Sequence, residues 1–462
     1  MIKKNIKQLT SMITVENDVS AFYDYKINGV AIDSRKVANG ELFVPLKGEQ
    51  TDGHRFVEKA IEQGAGAALW QKDVPNPPEG MPVLIVHDTL EALQQLAKAY
   101  RDELNLKVVG VTGSNGKTTT KDMIASLLGL KYKVQKTEGN YNNHIGLPLT
   151  ILSIEEETEA AVLEMGMSGR GEIDLLTRIA SPEVAVITNI GESHLQDLGS
   201  REGIAEAKLE IVNGLKHGGT LIYHGDEPLL SERIERMEGL VTKTFGLSKM
   251  NDVYPISIQP AENGSFFQVN VLEKNLFLPV LGRHNILNAL AAMSVAYTLG
   301  VPFEKMSEGL EAIELTKMRM ELTEGMKGIK IINDAYNASP TSTRAAIELV
   351  SQMPGFERKI VVLGDMLELG PDEETFHFDV GREIDSNYID HVFTYGRLGS
   401  AIAKGAKAAM PHERVHAFSD KQELIKELMS LLSGGELVLV KASRGMRLEE
   451  VVESLTTGEI TG

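Results

Sequence analysis

Val108-Val109-Gly110-Val111-Thr112-Gly113-Ser114-Asn115-Gly116-Lys117-Thr118-Thr119-Thr120 is the stretch whose reading decides the fold. An apolar strand runs into a glycine turn, and a lysine followed by three threonines opens a helix. Backbone N–H groups left open at such a turn, with the positive end of a helix dipole behind them, bind phosphate oxygens. In that arrangement the Lys117 ammonium reaches the outer phosphates and the Thr118 or Thr119 hydroxyl sits on magnesium. Met123, Ile124, Leu127 and Leu128 recur at helical spacing, which gives the helix an apolar face to bury. One position departs from the common phosphate-loop pattern. Val111 stands where glycine is usual, five residues before Gly116, so Gly113 has to make the turn.

Outward from this loop the chain reads as three α/β blocks, as 462 residues at ~150 per domain allow. The first, residues 1–104, holds short strands at 29–32 and 42–45. It also has a helix over 53–63 and a second helix capped by Asp88 or Thr89, with Leu93, Leu96, Ala97 and Tyr100 on its apolar side. The second, 105–316, carries near-continuous apolar strands at 160–163 and 184–188, the pattern of a parallel sheet covered on both faces. Period-two alternation over 266–271 predicts a small antiparallel sheet attached to this block. The third, 317–462, repeats strand and amphipathic helix with strands at 329–333, 359–363, 391–395, 415–418 and 437–441. That is a doubly wound, Rossmann-like open sheet, which binds ligands beyond the carboxyl ends of its strands.

The net charge of −18, from 65 acidic and 47 basic residues, argues against a nucleic-acid binder with a basic face. The absence of cysteine excludes disulfides, thiolate metal sites and a cysteine nucleophile, and fits a reducing cytoplasm. The lysines near Met1 lack the apolar core that a signal peptide needs. The longest apolar-rich run, 286–301, is broken by Asn288, Ser294 and Thr298 and reads as a buried helix, so we expect no membrane span.

Candidate chemistry falls at strand ends. Glu164 follows the strand at 160–163, where a carboxylate holds Mg²⁺ beside phosphates. Asn189 and His194 follow the strand at 184–188, and Lys208 lies on a helix where spacing alone reads it as a solvated lysine paired with nearby glutamates. In the third block three polar sets gather at one sheet edge: Asp334 with Asn337, Asp365 with Glu368, and Lys441 with Ser443 and Arg444. Asp334 and Asp365 have a competing reading as caps of the helices that follow them.

Together these motifs resemble the Mur ligases, ATP-dependent amide-forming enzymes of peptidoglycan precursor synthesis, over essentially the whole chain. The resemblance rests on Thr112 to Thr119, Glu164, Thr188-Asn189-Ile190-Gly191 with His194, and Ala207-Lys208-Leu209-Glu210. It rests also on His284-Asn285 with Asn288 and on Asp334-Ala335-Tyr336-Asn337-Ala338-Ser339-Pro340, where Ser339 replaces the more usual asparagine. Ala31 to Arg35, Asn140 to Gly146, Leu363 to Gly370 and Lys441 to Gly445 are similar to the branch that adds D-alanyl-D-alanine to UDP-N-acetylmuramoyl-tripeptide.

The resemblance implies roles. Gly113, Ser114, Asn115, Gly116, Lys117, Thr118 and Thr119 would hold ATP, with Asn285 and Asn288 on the adenine side and Arg319 and Asp334 reaching in from the third block. Thr118, Glu164, His194 and Lys208 would hold two Mg²⁺ ions, Lys208 as the carbamate it forms with CO₂; Lys117, His194 and Lys208 form the catalytic set. Ser34, Arg35, Lys47 and Thr51 would bind the UDP moiety. Asn140, Asn142, Asn143, Asn337, Lys441, Ser443 and Arg444 would complete the substrate contacts, with Arg444 or Lys441 pairing the dipeptide carboxylate. The expected reaction makes an acyl phosphate on the tripeptide, which the dipeptide amine attacks, by a monomer that closes its domains. The alternatives are another Mur ligase, adding the third amino acid, or a folylpolyglutamate synthase, which share the central block and differ at the outer domains. A different class is a phosphate-loop ATPase acting as a switch or binding module.

Overall fold

The computed structural model describes residues 1–460. The chain forms two compact units, Met1–Thr112 with Lys131–Val186 and Glu210–Leu221, and Gly113–Leu130 with Ile187–Leu209 and Ile222–Gly462.

In the first unit, strands Val30–Ala31, Leu42–Phe43, Ala67–Gln71 and Val83–Val86 form a parallel sheet in that order. Phe43, Ala60 and Trp70 are buried in its core. The Thr89–Glu103 helix starts where expected, because Asp88 accepts the N–H groups of Leu90 and Glu91, and Leu93, Leu96, Ala97 and Tyr100 are buried. The same unit carries four strands of the middle sheet, Val134–Lys136, Ala160–Glu164, Lys107–Thr112 and Val184–Ile187, side by side in that order. Ala160–Glu164 is buried throughout, as its apolar run requires.

The second unit begins at the glycine turn and the Lys117–Gly129 helix. It contains the expected small antiparallel sheet, Pro255–Ala261, Gly264–Val269 and Leu272–Leu278. The apolar run becomes the Arg283–Thr298 helix, buried over most of its length. The third block is a six-stranded sheet in the order Glu321–Glu324, Lys330–Asp334, Glu436–Lys441, Arg358–Gly364, His391–Tyr395 and Val415–Phe418. Its residues alternate between two cores. Ile332, Val361, Leu363 and Leu439 enter one, while Ile331, Ile360, Val362 and Val438 enter the other. The sheet is thus covered on both faces. Glu321–Glu324 pairs antiparallel at the edge, a strand that its short polar sequence does not announce. The register places Asp334 and Leu363 on either side of Lys441, so three strand ends meet at one edge.

Candidate nucleotide site

Two glycines dictate the shape of the loop. Gly113 has φ +148°, and a Cβ there would lie 1.8 Å from Thr188 Oγ1. Gly116 has φ +79°, and its Cβ would lie 2.5 Å from Asn288 Oδ1. A side chain at either position meets both an unfavourable backbone conformation and a wall. Gly116 is the N-cap of the Lys117–Gly129 helix and offers no side chain to its first turn. The positive end of that helix therefore lies at the loop with no capping side chain, which suits an anion.

The end of the neighbouring strand holds the loop open. Ser114 N–H donates to Asn189 O at 3.0 Å, and Asn115 N–H donates to Asn189 Oδ1 at 3.0 Å. Asn115 O accepts from Thr188 Oγ1 at 2.6 Å and from Asn189 Nδ2 at 2.9 Å. Lys117 Nζ folds back onto Gly113 O at 2.8 Å.

A cavity of about 440 Å³, formed wholly by the second unit, opens over this loop. Ser114 to Thr119 line one part; Asn285, Asn288 and His284 line another. Arg319, Asp334, Asn337 and Lys441 reach it from the third block. The two asparagines are linked, Asn288 Nδ2 donating to Asn285 Oδ1 at 2.8 Å. Burial lowers the His284 pKa, which favours the neutral imidazole. Arg319 stacks on Tyr336, 4.1 Å from the ring centre, and donates to Thr118 Oγ1 at 3.2 Å. Ser114 Oγ, Asn115 Nδ2 and Arg319 Nε are buried with no protein partner. Buried polar atoms are seldom left so, and two of these are obligate donors, which suits an anionic ligand.

Arg201, His224, Glu227, Thr341 and Ser342 also line the cavity and carry no motif that the sequence exposes. Arg201 donates to Ile190 O and Glu227 Oε2, at 2.9 and 2.8 Å, and so braces the loop after the 184–187 strand.

Lys208 is 1 % exposed in the last turn of the Arg201–Leu209 helix. Burial first, and then the charge of Lys117, pushes its pKa well below the usual lysine value. The helix-surface reading that its spacing allows is wrong: the chain places an amine where its neutral, nucleophilic form is favoured. His194 adopts φ +66° and its Nδ1 lies 2.8 Å from Glu368 Oε2. Glu368, also at φ +66°, is held below the ordinary carboxylate range by that imidazole.

In the third block, Asp334 is not a helix cap. Its Oδ1 accepts Met320 N–H at 3.2 Å and its Oδ2 pairs with Lys441, while Ser339 caps the helix that follows. Asp365 is a cap, but of the distant Gly399–Ala409 helix, through Gly399 N–H at 2.7 Å. Lys441 also donates to Asn337 O at 3.1 Å. Ser443 Oγ accepts Leu367 N–H at 2.9 Å. Arg444 is exposed over half its side chain and lies 2.9 Å from Glu449.

The remaining candidates belong to the first unit. Glu164 is buried, and Asn142 Nδ2 donates to its Oε1 at 2.8 Å. Asn140 O accepts Asn142 N–H, and Asn143 Oδ1 accepts the N–H groups of Ile145 and Gly146. Arg35 forms a two-pronged pair with Asp33, at 2.9 and 2.7 Å, which holds the Asp33 carboxyl well below its usual range. Lys47 pairs with Asp73 at 2.9 Å; Ser34 is buried and Thr51 exposed. Among the described residues no three His, Asp or Glu side chains gather as a ready metal cage.

Family models match three stretches: "Mur ligase family, catalytic domain" over 26–101, "Mur ligase middle domain" over 111–296 and "Mur ligase, glutamate ligase domain" over 318–444. The chain is 53 % identical to UDP-N-acetylmuramoyl-tripeptide--D-alanyl-D-alanine ligase of Bacillus subtilis, over 98 % of this chain and 99 % of that one. It is similar to the crystal structure of MurF from Acinetobacter baumannii, with TM-score 0.90, 32 % identity, and 98 % and 99 % of the two chains covered. It is similar also to MurF from Thermotoga maritima in complex with ADP, with TM-score 0.82, 31 % identity and coverage of 93 % and 97 %.

Proposed function

We propose that this chain, which belongs to the Mur ligase family, is the ligase that joins D-alanyl-D-alanine to UDP-N-acetylmuramoyl-tripeptide with ATP, in the cytoplasmic stage of peptidoglycan synthesis. The observation that carries the reading is the cavity over Gly113–Thr119, with unpaired buried donors on its wall, in a chain 53 % identical to a ligase of that name.

A carboxylate does not acylate an amine unaided, so the γ-phosphoryl group of ATP is transferred to the terminal carboxylate of the tripeptide. The dipeptide amine then adds to the acyl carbon, the tetrahedral adduct loses its proton, and the C–O bond to phosphate breaks to leave amide and phosphate. The loop's backbone N–H groups and Lys117 hold the β- and γ-phosphates and offset the charge that builds up during transfer. Asn285 and Asn288 flank the base, and Arg319, clamped on Tyr336, reaches the phosphates from the third block. In the second unit Thr118, His194 and Lys208, as its carbamate, would hold Mg²⁺, and Glu164 is the metal ligand proposed in the first. Bound Mg²⁺ would supply positive charge to the phosphate oxygens. The buried neutral amine of Lys208 is the form that adds CO₂, with release of one proton. Ser34, Arg35, Lys47 and Thr51 of the first block (1–104) bind the UDP moiety. Asn140, Asn142 and Asn143 of the central block (105–316) lie along the tripeptide, with Asn142 also orienting Glu164. In the third block (317–462), Asn337 and Ser443 border the dipeptide. Both cations are ion-paired, but Lys441 is buried with Asp334 whereas Arg444 is exposed over half its side chain, so the dipeptide carboxylate falls to Arg444.

Release of ADP and phosphate, measured with each acceptor omitted in turn, tests the reaction. Release that needs both the UDP-tripeptide and D-alanyl-D-alanine is expected. Equal release without either would make the chain an ATPase.

A further inference from the structure

Ser339 is 1 % exposed and caps the Pro340–Gln352 helix: its Oγ accepts Ser342 N–H at 3.3 Å. An acceptor at a helix cap keeps its own hydroxyl proton to donate. Ser342 Oγ, 3.1 Å away, already accepts Ser339 N–H and donates to Ser339 O. The proton's better destination is Asn115 Oδ1, 3.2 Å from Ser339 Oγ, across from the third block to the phosphate loop. The same first turn is seated a second time, where Thr341 Oγ1 donates to the Glu192 carboxylate at 2.8 Å.

The Asn115 main chain is fixed by Thr188 and Asn189, so the orientation of its carboxamide is what remains to be set. With Oδ1 turned to Ser339, Nδ2 is a buried donor left without a protein partner, on a residue that lines the cavity. We infer that Ser339 is a positioning residue for the nucleotide: its hydroxyl fixes the Asn115 carboxamide with Nδ2 presented to a phosphate oxygen. Because Ser339 comes from the third block, the loop's donor set is complete only when that block is seated on it. The inference rests on the nucleotide occupying this cavity, as proposed above.

Glycine at a helix N-cap costs only a few tenths of a kcal/mol relative to serine, so Ser339→Gly removes the hydroxyl with little loss of helix stability. Threonine keeps both the cap and the proton. The test is calorimetric titration of the full-length chain with the β,γ-imido analogue of ATP and Mg²⁺. Ser339→Gly is expected to weaken binding about tenfold, the worth of one hydrogen bond to a charged group. Ser339→Thr is expected to bind within about twofold of the unsubstituted protein. In an Asn115→Ala background, Ser339→Gly is expected to add no further loss. Unchanged binding by Ser339→Gly, or the same loss in both backgrounds, overturns the inference. Equal binding by Lys117→Ala and the unsubstituted chain would instead overturn the nucleotide reading beneath it.

Discussion

Around Gly113–Thr119, Ser114 Oγ, Asn115 Nδ2 and Arg319 Nε are buried without a protein partner, on residues that line the cavity. The cations of the first block are in the opposite condition. Arg35 is paired with Asp33 and Lys47 with Asp73, in pairs that each have one side chain largely open to solvent. The nucleotide cavity is preorganised: glycine conformations and strand-end hydrogen bonds fix its donors before any ligand arrives, so binding requires little rearrangement. On the proposed reading of Arg35 and Lys47 as ligands of the UDP moiety, the first block exchanges one anion for another. Exposed ion pairs are worth only about 0.2–1 kcal/mol each, so a diphosphate displaces the carboxylates easily. One site is specified by backbone, the other by exchangeable side chains.

The largest test of that contrast is Lys117→Ala. It is expected to lower kcat/KM roughly 10³-fold, as loss of a charged phosphate contact does, with an unchanged thermal midpoint. A folded variant with normal turnover would break the cavity side of the comparison. Next comes Gly116→Ala, which drives a Cβ to 2.5 Å from Asn288 Oδ1 at φ +79° and is expected to reduce affinity for ATP about a hundredfold. Gly129→Ala, with open space around its Cβ, is the control and leaves affinity unchanged. Arg35→Ala is expected to raise KM for the UDP-tripeptide about tenfold and leave KM for ATP alone. A change in both would merge the two sites that the comparison separates.

The smallest effect concerns the edge loop of the third block. His377 is fully buried, and burial holds its pKa below the ordinary 6.5. Its Nε2 accepts Met366 N–H at 2.8 Å while Nδ1 lies 2.6 Å from Glu373 O, an arrangement for the neutral ring. Between its native value and 6.5 the unfolded chain binds a proton that the native chain does not, so stability falls as pH drops through that window. Denaturant midpoints between pH 7 and pH 5 are expected to fall less for His377→Gln, whose amide oxygen can accept the same N–H.

Much of this was legible because glycine, lysine and threonine in fixed order leave a phosphate loop few alternatives, and because apolar runs between helices demand a covered parallel sheet. The edge strand Glu321–Glu324 escaped because it is short, polar and half-buried, with no period to betray it. Lys208 showed the limit of spacing: helical neighbours suggested a solvated lysine, and only tertiary burial reveals the neutral amine. Asp365 was recognisable as a possible cap, but its helix starts 34 residues on, at a distance that local reasoning does not search. Arg201, His224 and Glu227 reach the cavity through long-range folding and form no local pattern.

Whether this cavity transfers phosphate to a carboxylate can be read from one isotope. With ¹⁸O in the terminal carboxylate of the UDP-tripeptide, the account predicts one labelled oxygen in each phosphate released on amide formation. Product formed with unlabelled phosphate would contradict it.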